Sequence, residues 1–167
     1  MVYLNKIPSP VGELTLACTE EAVCGLWFAS SRFYLYGLPE PVLEHDHPLH
    51  SVLESWLDAY FAGKNPSIDF PVVLFGTSFQ RSVWDELRKI PYGKTVSYGM
   101  IAERVSERTG KRASARAVGG AVGRNPLSII VPCHRVIGAD GSLTGFGGGM
   151  DRKVFLLRLE GHKKAGV

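Results

Sequence analysis

SYGMIAERVSERTGKRASARAVGGAVGR, residues 97–124, reads as two helices separated by a break at Gly110. Ser97 can cap the first, which turns Ile101, Ala102 and Val105 inward. Ser114 can cap the second, Ala115–Gly123, with Val118 and Val122 inward. Helix pairs are common, and charge gives this one a direction. Residues 104–124 carry Arg104, Arg108, Lys111, Arg112, Arg116 and Arg124 against Glu107 alone. Binding to a phosphate backbone needs such a stripe, and the pair is a helix–turn–helix candidate. Gly119 and Gly120 each cost a helix interior roughly 1 kcal/mol relative to alanine. Their missing side chains suit either the close approach of a groove wall or tight helix–helix packing.

Working outward, Thr77-Ser78-Phe79-Gln80 is a capping-box pattern. It opens a helix with Val83, Trp84, Leu87 and Ile90 as its inner stripe, ended by Pro91-Tyr92-Gly93. Ile129-Ile130-Val131 reads as a short buried strand leading into Pro132-Cys133-His134. Asp151 can cap a last helix, with Val154, Phe155, Leu157 and Leu159 inward and Gly161 as its stop. Toward the N-terminus, Val2–Ile7, Leu14–Cys18 and Ala22–Phe28 are strand-like, with a turn at Pro8–Gly12. Residues 29–48 read as irregular, and Leu49–Phe61 as a helix with Val52, Leu53, Trp56, Leu57 and Tyr60 on one side. Asn65–Gly76 is a connector. The expected fold class is α+β. Residues 1–75 form a small antiparallel sheet with a helix, and residues 76–167 a mostly helical domain.

The 167 residues, 45% hydrophobic and 21% charged, suit an ordinary globular protein. No apolar run approaches the roughly 20 residues that span a bilayer, which predicts no membrane partner. A cytoplasmic location follows by default, or a nuclear one in a cell with a nucleus. Three cysteines make no disulfide framework, and Cys18 and Cys24 sit in apolar runs as small buried residues. The net charge of +3 divides unevenly. Residues 1–76 hold 3 Lys/Arg and 9 Asp/Glu, whereas residues 77–167 hold 16 and 7. Such a split suggests that the second half meets a polyanion, or that it carries a solvated basic face.

Cys133, between Pro132 and His134, is the candidate nucleophile. The thiolate is the reactive form of cysteine, and an imidazole or a positive charge promotes it. His134 and Arg135 are adjacent in sequence, although neighbouring side chains on a strand point to opposite faces. Asn125 could donate an amide or cap a helix, Tyr98 could donate a proton or pack, and Glu160 could orient His134 or lie on the surface. Gly145-Phe146-Gly147-Gly148-Gly149 lacks the Lys-Ser/Thr of a phosphate loop.

These motifs together resemble the O6-alkylguanine-DNA alkyltransferase family. The run Pro132-Cys133-His134-Arg135-Val136 matches its PCHRV signature. It is preceded by "VSYGMIAERV" and "ARAVGGAVGRNP" and followed by "GFGGG" and "LEGH", in the family's order. The match covers about residues 77–162, with a looser likeness over residues 1–76. The resemblance implies a winged helix–turn–helix-like second domain that binds the minor groove of double-stranded DNA containing O6-alkylguanine. The damaged base would be flipped out, and Cys133, in its ionised form beside a purine-sized pocket, would take the alkyl group once and irreversibly. O4-alkylthymine would react less readily. His134 would accept the thiol proton through a water, oriented by Glu160, and Asn125 would order the turn. Tyr98 would bond the guanine N3. Carbonyls of Cys133 and Val136, together with Phe146, Gly147 and Gly148, would form the base pocket. Arg116 would fill the gap in the stack, and Thr95, Ser114, Ala117, Gly119, Gly120, Arg124 and Arg135 would contact DNA. No cofactor is implied, and the protein would act as a monomer able to bind DNA cooperatively.

Two other readings share these residues. A cysteine hydrolase would use Cys133, His134 and a carboxylate but turn over, and a damage-binding protein would bind without chemistry. Cys18, Cys24, His45, His47 and His50 also raise the question of a metal, but their spacing matches no familiar pattern, and a surface loop accounts for the histidines. No metal is therefore expected.

Overall fold

The structure is a computed structural model and describes residues 1–143 and 149–162. The chain divides into two compact units, residues 1–75 with 126–128, and the remainder. In the first, β1 (Val2–Ile7), β2 (Leu14–Cys18), β3 (Val23–Phe28) and β4 (Val42–Glu44) form one sheet in the order β3-β2-β1-β4. The first three strands run antiparallel. The fourth is a parallel edge, so the sheet is mixed rather than purely antiparallel. It arises in the proline-rich stretch expected to be irregular. Pro41 cannot donate a hydrogen bond, but its carbonyl accepts the Val2 N–H at 2.9 Å. At the opposite edge, β3 is bridged in parallel by Val72 and by Leu127. Leu26 donates to the Pro126 carbonyl at 2.8 Å and accepts from the Ser128 N–H at 3.0 Å. Three residues from late in the sequence thus belong to the first unit.

All of β2 and β3 is buried. Trp27 lies across its own strand, and a Cβ on Gly25 would sit 2.2 Å from its ring, so only glycine fits there. Helix α1 (Pro48–Phe61) buries His50, Leu53, Leu57 and Tyr60. Val52, expected inward, is instead 45% exposed. It lies roughly 200° around the helix from His50, a residue whose polarity hid the true stripe.

In the second unit, the expected capping box is present. Thr77 Oγ1 accepts from the Gln80 N–H at 3.1 Å, and Gln80 Oε1 from the Thr77 N–H at 3.0 Å. It starts α2 (Ser78–Leu87), whose Trp84 Nε1 donates to the Ala121 carbonyl at 2.8 Å. Helix α3 (Tyr98–Thr109) is capped by Ser97 and closed by Gly110 at φ 70°. Ser106 Oγ accepts the Ala113 N–H at 2.8 Å across the turn, and Ser114 caps α4 (Ala115–Gly123). Strand β5 (Val96–Ser97) pairs in parallel with β6 (Val136–Ile137).

Three expectations in this unit are corrected. Residues 129–131 form turns rather than a strand, with Ile129 at φ 73°, because the pairing with β3 is made at Leu127. Cys133 accordingly sits in a one-turn 3-10 helix, Cys133–Arg135, not at a strand end. Helix α5 (Met150–Leu159) has Gly149 at its cap, leaving Asp151 in the first turn. Its buried residues are Lys153, Leu156 and Leu157, while Phe155 is exposed.

The cap of α1 carries a pH dependence. His47 Nδ1 accepts the Leu49 N–H at 3.1 Å, and His50 Nδ1 accepts the His47 N–H at 3.2 Å. His50 Nε2 donates to the Tyr3 carbonyl at 3.0 Å. The His50 ring, which accepts at one nitrogen and donates at the other, must therefore be neutral. Burial, and then the neighbouring His47, hold His50 below the ordinary histidine value, against the pull of the Tyr3 carbonyl and Asp46. The stabilisation is complete above the unfolded value of about 6.5 and is lost as pH falls from there through the lower folded value. Melting temperature is expected to drop on acidification from neutral pH, with about 1 kcal/mol at stake in the cap. His50→Gln, which keeps an acceptor at that position, should flatten this drop in thermal melts. An unchanged acid dependence would show that the cap does not titrate.

Candidate active site

The end of α4 and the turn after it position a cysteine. Asn125 follows the helix and is buried, its backbone N–H closing on the Val122 carbonyl at 3.2 Å. Its side-chain Nδ2 donates to the Val131 carbonyl at 2.8 Å, and the same carbonyl accepts the Cys133 N–H at 2.8 Å. The Asn125 side chain also hydrogen-bonds the Cys133 thiol. One amide therefore fixes both the loop and the sulfur it presents.

Cys133 is 4% exposed, and its setting is not the simple ionised one expected. Burial pushes the thiol above its ordinary value. The Asn125 hydrogen bond, the Lys153 charge and backbone N–H groups of Cys133 and His134 pull it back in part. The sulfur rests as a thiol surrounded by groups that favour its anion, so its activation requires a proton acceptor.

His134 is wholly buried, and its Nε2 lies 2.5 Å from Glu160 Oε2. Burial holds the imidazole below its usual value, and the Glu160 carboxylate opposes that shift. With Nε2–H donating to the carboxylate, the lone pair lies on Nδ1. That atom has no hydrogen-bond partner among the described residues. Glu160 is buried at the end of α5. It accepts from Arg135 Nε at 2.7 Å and Nη2 at 3.1 Å, and from the Gly93 N–H at 3.2 Å. Arg135, expected to contact DNA, is thus committed inward. Its Nη1 donates to the Ile90 carbonyl at 2.7 Å, and its guanidinium lies 5.7 Å from the centre of the Tyr92 ring.

Lys153 was not among the sequence candidates. It is fully buried, and its Nζ donates to the Val136 carbonyl at 2.6 Å. Burial pushes its ammonium down to about 8, while the charge of Cys133 opposes this. Its signal was its spacing, seven residues before Glu160 and so on the same face of α5. Tyr98 opens α3 within electrostatic range of Cys133, and burial pushes its phenol up to about 12, so it remains a donor. Of the carbonyls proposed to bind a base, that of Cys133 accepts the Val136 N–H and that of Val136 accepts from Lys153.

On the helix pair, Ser114, Arg116 and Ala117 are exposed, and Ser114 Oγ is taken by the Ala117 N–H at 3.0 Å. Arg116 has no hydrogen-bond or ion-pair partner among the described residues. A Cβ on Gly119 would meet nothing within 4 Å, so packing inside the protein does not account for that glycine. At Gly120 it would meet only Arg124 Nη1, which donates to the Gly120 carbonyl at 3.0 Å. Thr95, half-buried, precedes β5. Phe146, Gly147 and Gly148 lie outside the described residues. Among the described residues no group of three or more His, Cys, Asp or Glu is placed to hold a metal, and no helix is long and apolar enough to cross a membrane.

Comparison with known proteins places these geometries in a family. Residues 2–74 match the ribonuclease-like domain, and residues 78–162 the DNA-binding domain, of 6-O-methylguanine DNA methyltransferase. A methylated-DNA--protein-cysteine methyltransferase of Methanosarcina acetivorans is 43% identical over 160 residues, 96% of this chain and 99% of that protein. The Mycobacterium bovis protein of the same name is 45% identical over 163 residues, 96% of this chain and 93% of that one. The crystal structure of Mycobacterium tuberculosis OGT in complex with DNA aligns with a TM-score of 0.79 at 45% identity, over 95% of this chain and 92% of that chain. With both domain matches in order and relatives of this similarity along nearly its whole length, the chain belongs to the 6-O-methylguanine DNA methyltransferase family.

Proposed function

We propose that the protein repairs DNA by moving the alkyl group of O6-alkylguanine, and less readily of O4-alkylthymine, onto its own Cys133. The observation that carries this is the buried thiol joined to Asn125 and set beside Lys153, in a turn shared with the His134–Glu160 pair. A hydrogen bond and a nearby cation favour the sulfur anion where burial alone would suppress it. The Cys133 proton passes through a water to His134 Nδ1. The sulfur attacks the alkyl carbon in line, an S–C bond forms and the C–O6 bond breaks. Guanine leaves with the electron pair and is reprotonated, with Tyr98 donating at N3. The thioether does not hydrolyse, so each molecule acts once. No cofactor enters this chemistry.

The exposed edge of α4 supports the DNA-binding half of the reading, in line with a relative solved on DNA. Ser114, Arg116, Ala117, Gly119 and Gly120 present a slim basic surface to the minor groove of the duplex, and Arg116 fills the place of the everted base. Thr95 and Arg124 add further contacts to the duplex. The protein acts as a monomer in the compartment that holds the DNA, the cytoplasm or, in a eukaryote, the nucleus.

Incubation with an oligonucleotide carrying one O6-methylguanine should add one methyl group per protein molecule by intact mass, and never more. Cys133→Ala should abolish the gain yet still bind the duplex. Methyl release without a mass gain would establish a hydrolase instead. Lys153→Met removes the cation that lowers the thiol's value, so the transfer rate should fall about tenfold at neutral pH and recover toward alkaline pH. An equal loss at every pH would contradict that role. Arg116→Ala should slow transfer from duplex DNA at least about tenfold more than transfer from free O6-benzylguanine, measured in single-turnover assays. Equal slowing on both substrates would remove Arg116 from base eversion.

A further inference from the structure

We propose that Arg135 is a positioning residue of this reaction, holding the Glu160 carboxylate so that His134 stays neutral with its Nδ1 lone pair free to take the Cys133 proton. The inference rests on the alkyl-transfer reading and assigns a part to a side chain that reading does not use.

Arg135 meets the carboxylate through two nitrogens, Nε on Oε1 at 2.7 Å and Nη2 on Oε2 at 3.1 Å. The second oxygen is the one that His134 Nε2 reaches at 2.5 Å. The two side chains therefore share a single negative charge. The Glu160 side chain is completely buried, so water does not dilute the competition. The guanidinium is itself fixed by the Ile90 carbonyl and the Tyr92 ring, and a planar fork on a carboxylate is a geometry only arginine supplies.

The charged and titratable groups facing His134, among the described residues, are Glu160 and Lys153 from α5, Arg135 and Cys133 from its own turn, and Tyr92 beside Arg135. Arg135 and Lys153 both oppose an imidazolium, and Glu160 alone favours one. With Arg135 in place, a proton on the imidazole would set a second cation against one carboxylate, with Lys153 adding to the repulsion. Without Arg135, the buried carboxylate would lose the cation that holds both of its oxygens, and the imidazole would be drawn to replace that charge. The His134–Glu160 pair would then take up a proton at higher pH. Wherever that proton resided, Nδ1 would be blocked. On the ring it makes imidazolium, with hydrogen on both nitrogens. On the carboxyl it donates to Nε2 and forces the ring hydrogen to Nδ1. In both arrangements the relay starts full.

The test is the single-turnover rate of transfer from a duplex containing O6-methylguanine, followed from about pH 5 to 9 for the wild type, Arg135→Met and Arg135→Lys. In the wild type, the acid side of the profile should fall below the ordinary histidine range. In Arg135→Met it should move up by about one pH unit or more, so that the rate near pH 6 is at least about tenfold lower while the deficit narrows toward pH 9. Arg135→Lys, which restores the charge without the fork, should recover most of the acid-side rate. Nitrogen-15 NMR of the His134 ring in the protein alone should show hydrogen on Nε2 only near pH 7 in the wild type, and hydrogen on Nδ1 in Arg135→Met. A uniform loss of rate across the range, or a ring unchanged in Arg135→Met, would overturn the assignment. So would a duplex affinity whose salt dependence weakens by about one phosphate contact in Arg135→Met, because the guanidinium would then face DNA. The NMR arm needs no transfer. A protein whose ring responds but whose sulfur takes no methyl would sink the alkyl-transfer reading and leave the charge relation standing.

Discussion

A carboxylate sealed from water at the end of α5 is the constraint on which the second unit turns. Taking an anion out of water costs several kcal/mol unless charge and hydrogen bonds replace the lost hydration. Glu160 recovers them from Arg135, His134 and the Gly93 N–H. Those donors come from two separate stretches, the turn before β5 and the 3-10 turn that carries Cys133. Satisfying one buried charge thereby fixes the register between the last helix and the reactive turn. Seven residues earlier on the same face, Lys153 holds the Val136 carbonyl. At 1.5 Å per residue the two backbone positions are roughly 10 Å apart along the helix, and between them their side chains hold His134, Arg135 and the Val136 carbonyl.

Burial has opposite consequences for the groups in this cluster. It suppresses the anion of Cys133, the cation of His134 and the cation of Lys153 together. The shifts of Cys133 and Lys153 limit each other, since Lys153 favours the sulfur anion and Cys133 the lysine cation, whereas that of His134 is limited by Glu160. A thiol in such surroundings is weakly reactive toward small oxidants and electrophiles, because little of it is ionised. Its nucleophilicity is released by moving a proton within the site rather than by exposing the sulfur.

Where local chemistry decided structure, the sequence was legible. The serine and threonine caps of α2, α3 and α4, the glycine after α3 and the alternating apolar strands fold as their side chains dictate. The Cys133–His134 pair and the Glu160 partner were visible as residue types in a familiar order. What stayed hidden depended on tertiary partners. Lys153 on an inner stripe contradicts the hydrophobic pattern, so the periodicity of α5 was phased one residue out, toward Val154 and Phe155. Arg135 reads in the sequence as one more basic residue for DNA, because charge alone does not say which anion it meets; in the fold it meets Glu160. His50 concealed the buried face of α1 in the same way, and β4 is three residues between prolines, too short for any alternation to register.

The three residues that return to β3 bear on how such a chain can be rearranged. Because Pro126–Ser128 finishes the outer edge of a sheet built by the first 75 residues, neither half is a self-contained module that a single crossover could transplant. A hybrid joined near residue 75 would inherit its edge segment from one parent and the strand that receives it from the other. Side chains at Leu26 and Leu127 would then have to match across lineages, so the two halves are bound to change in step.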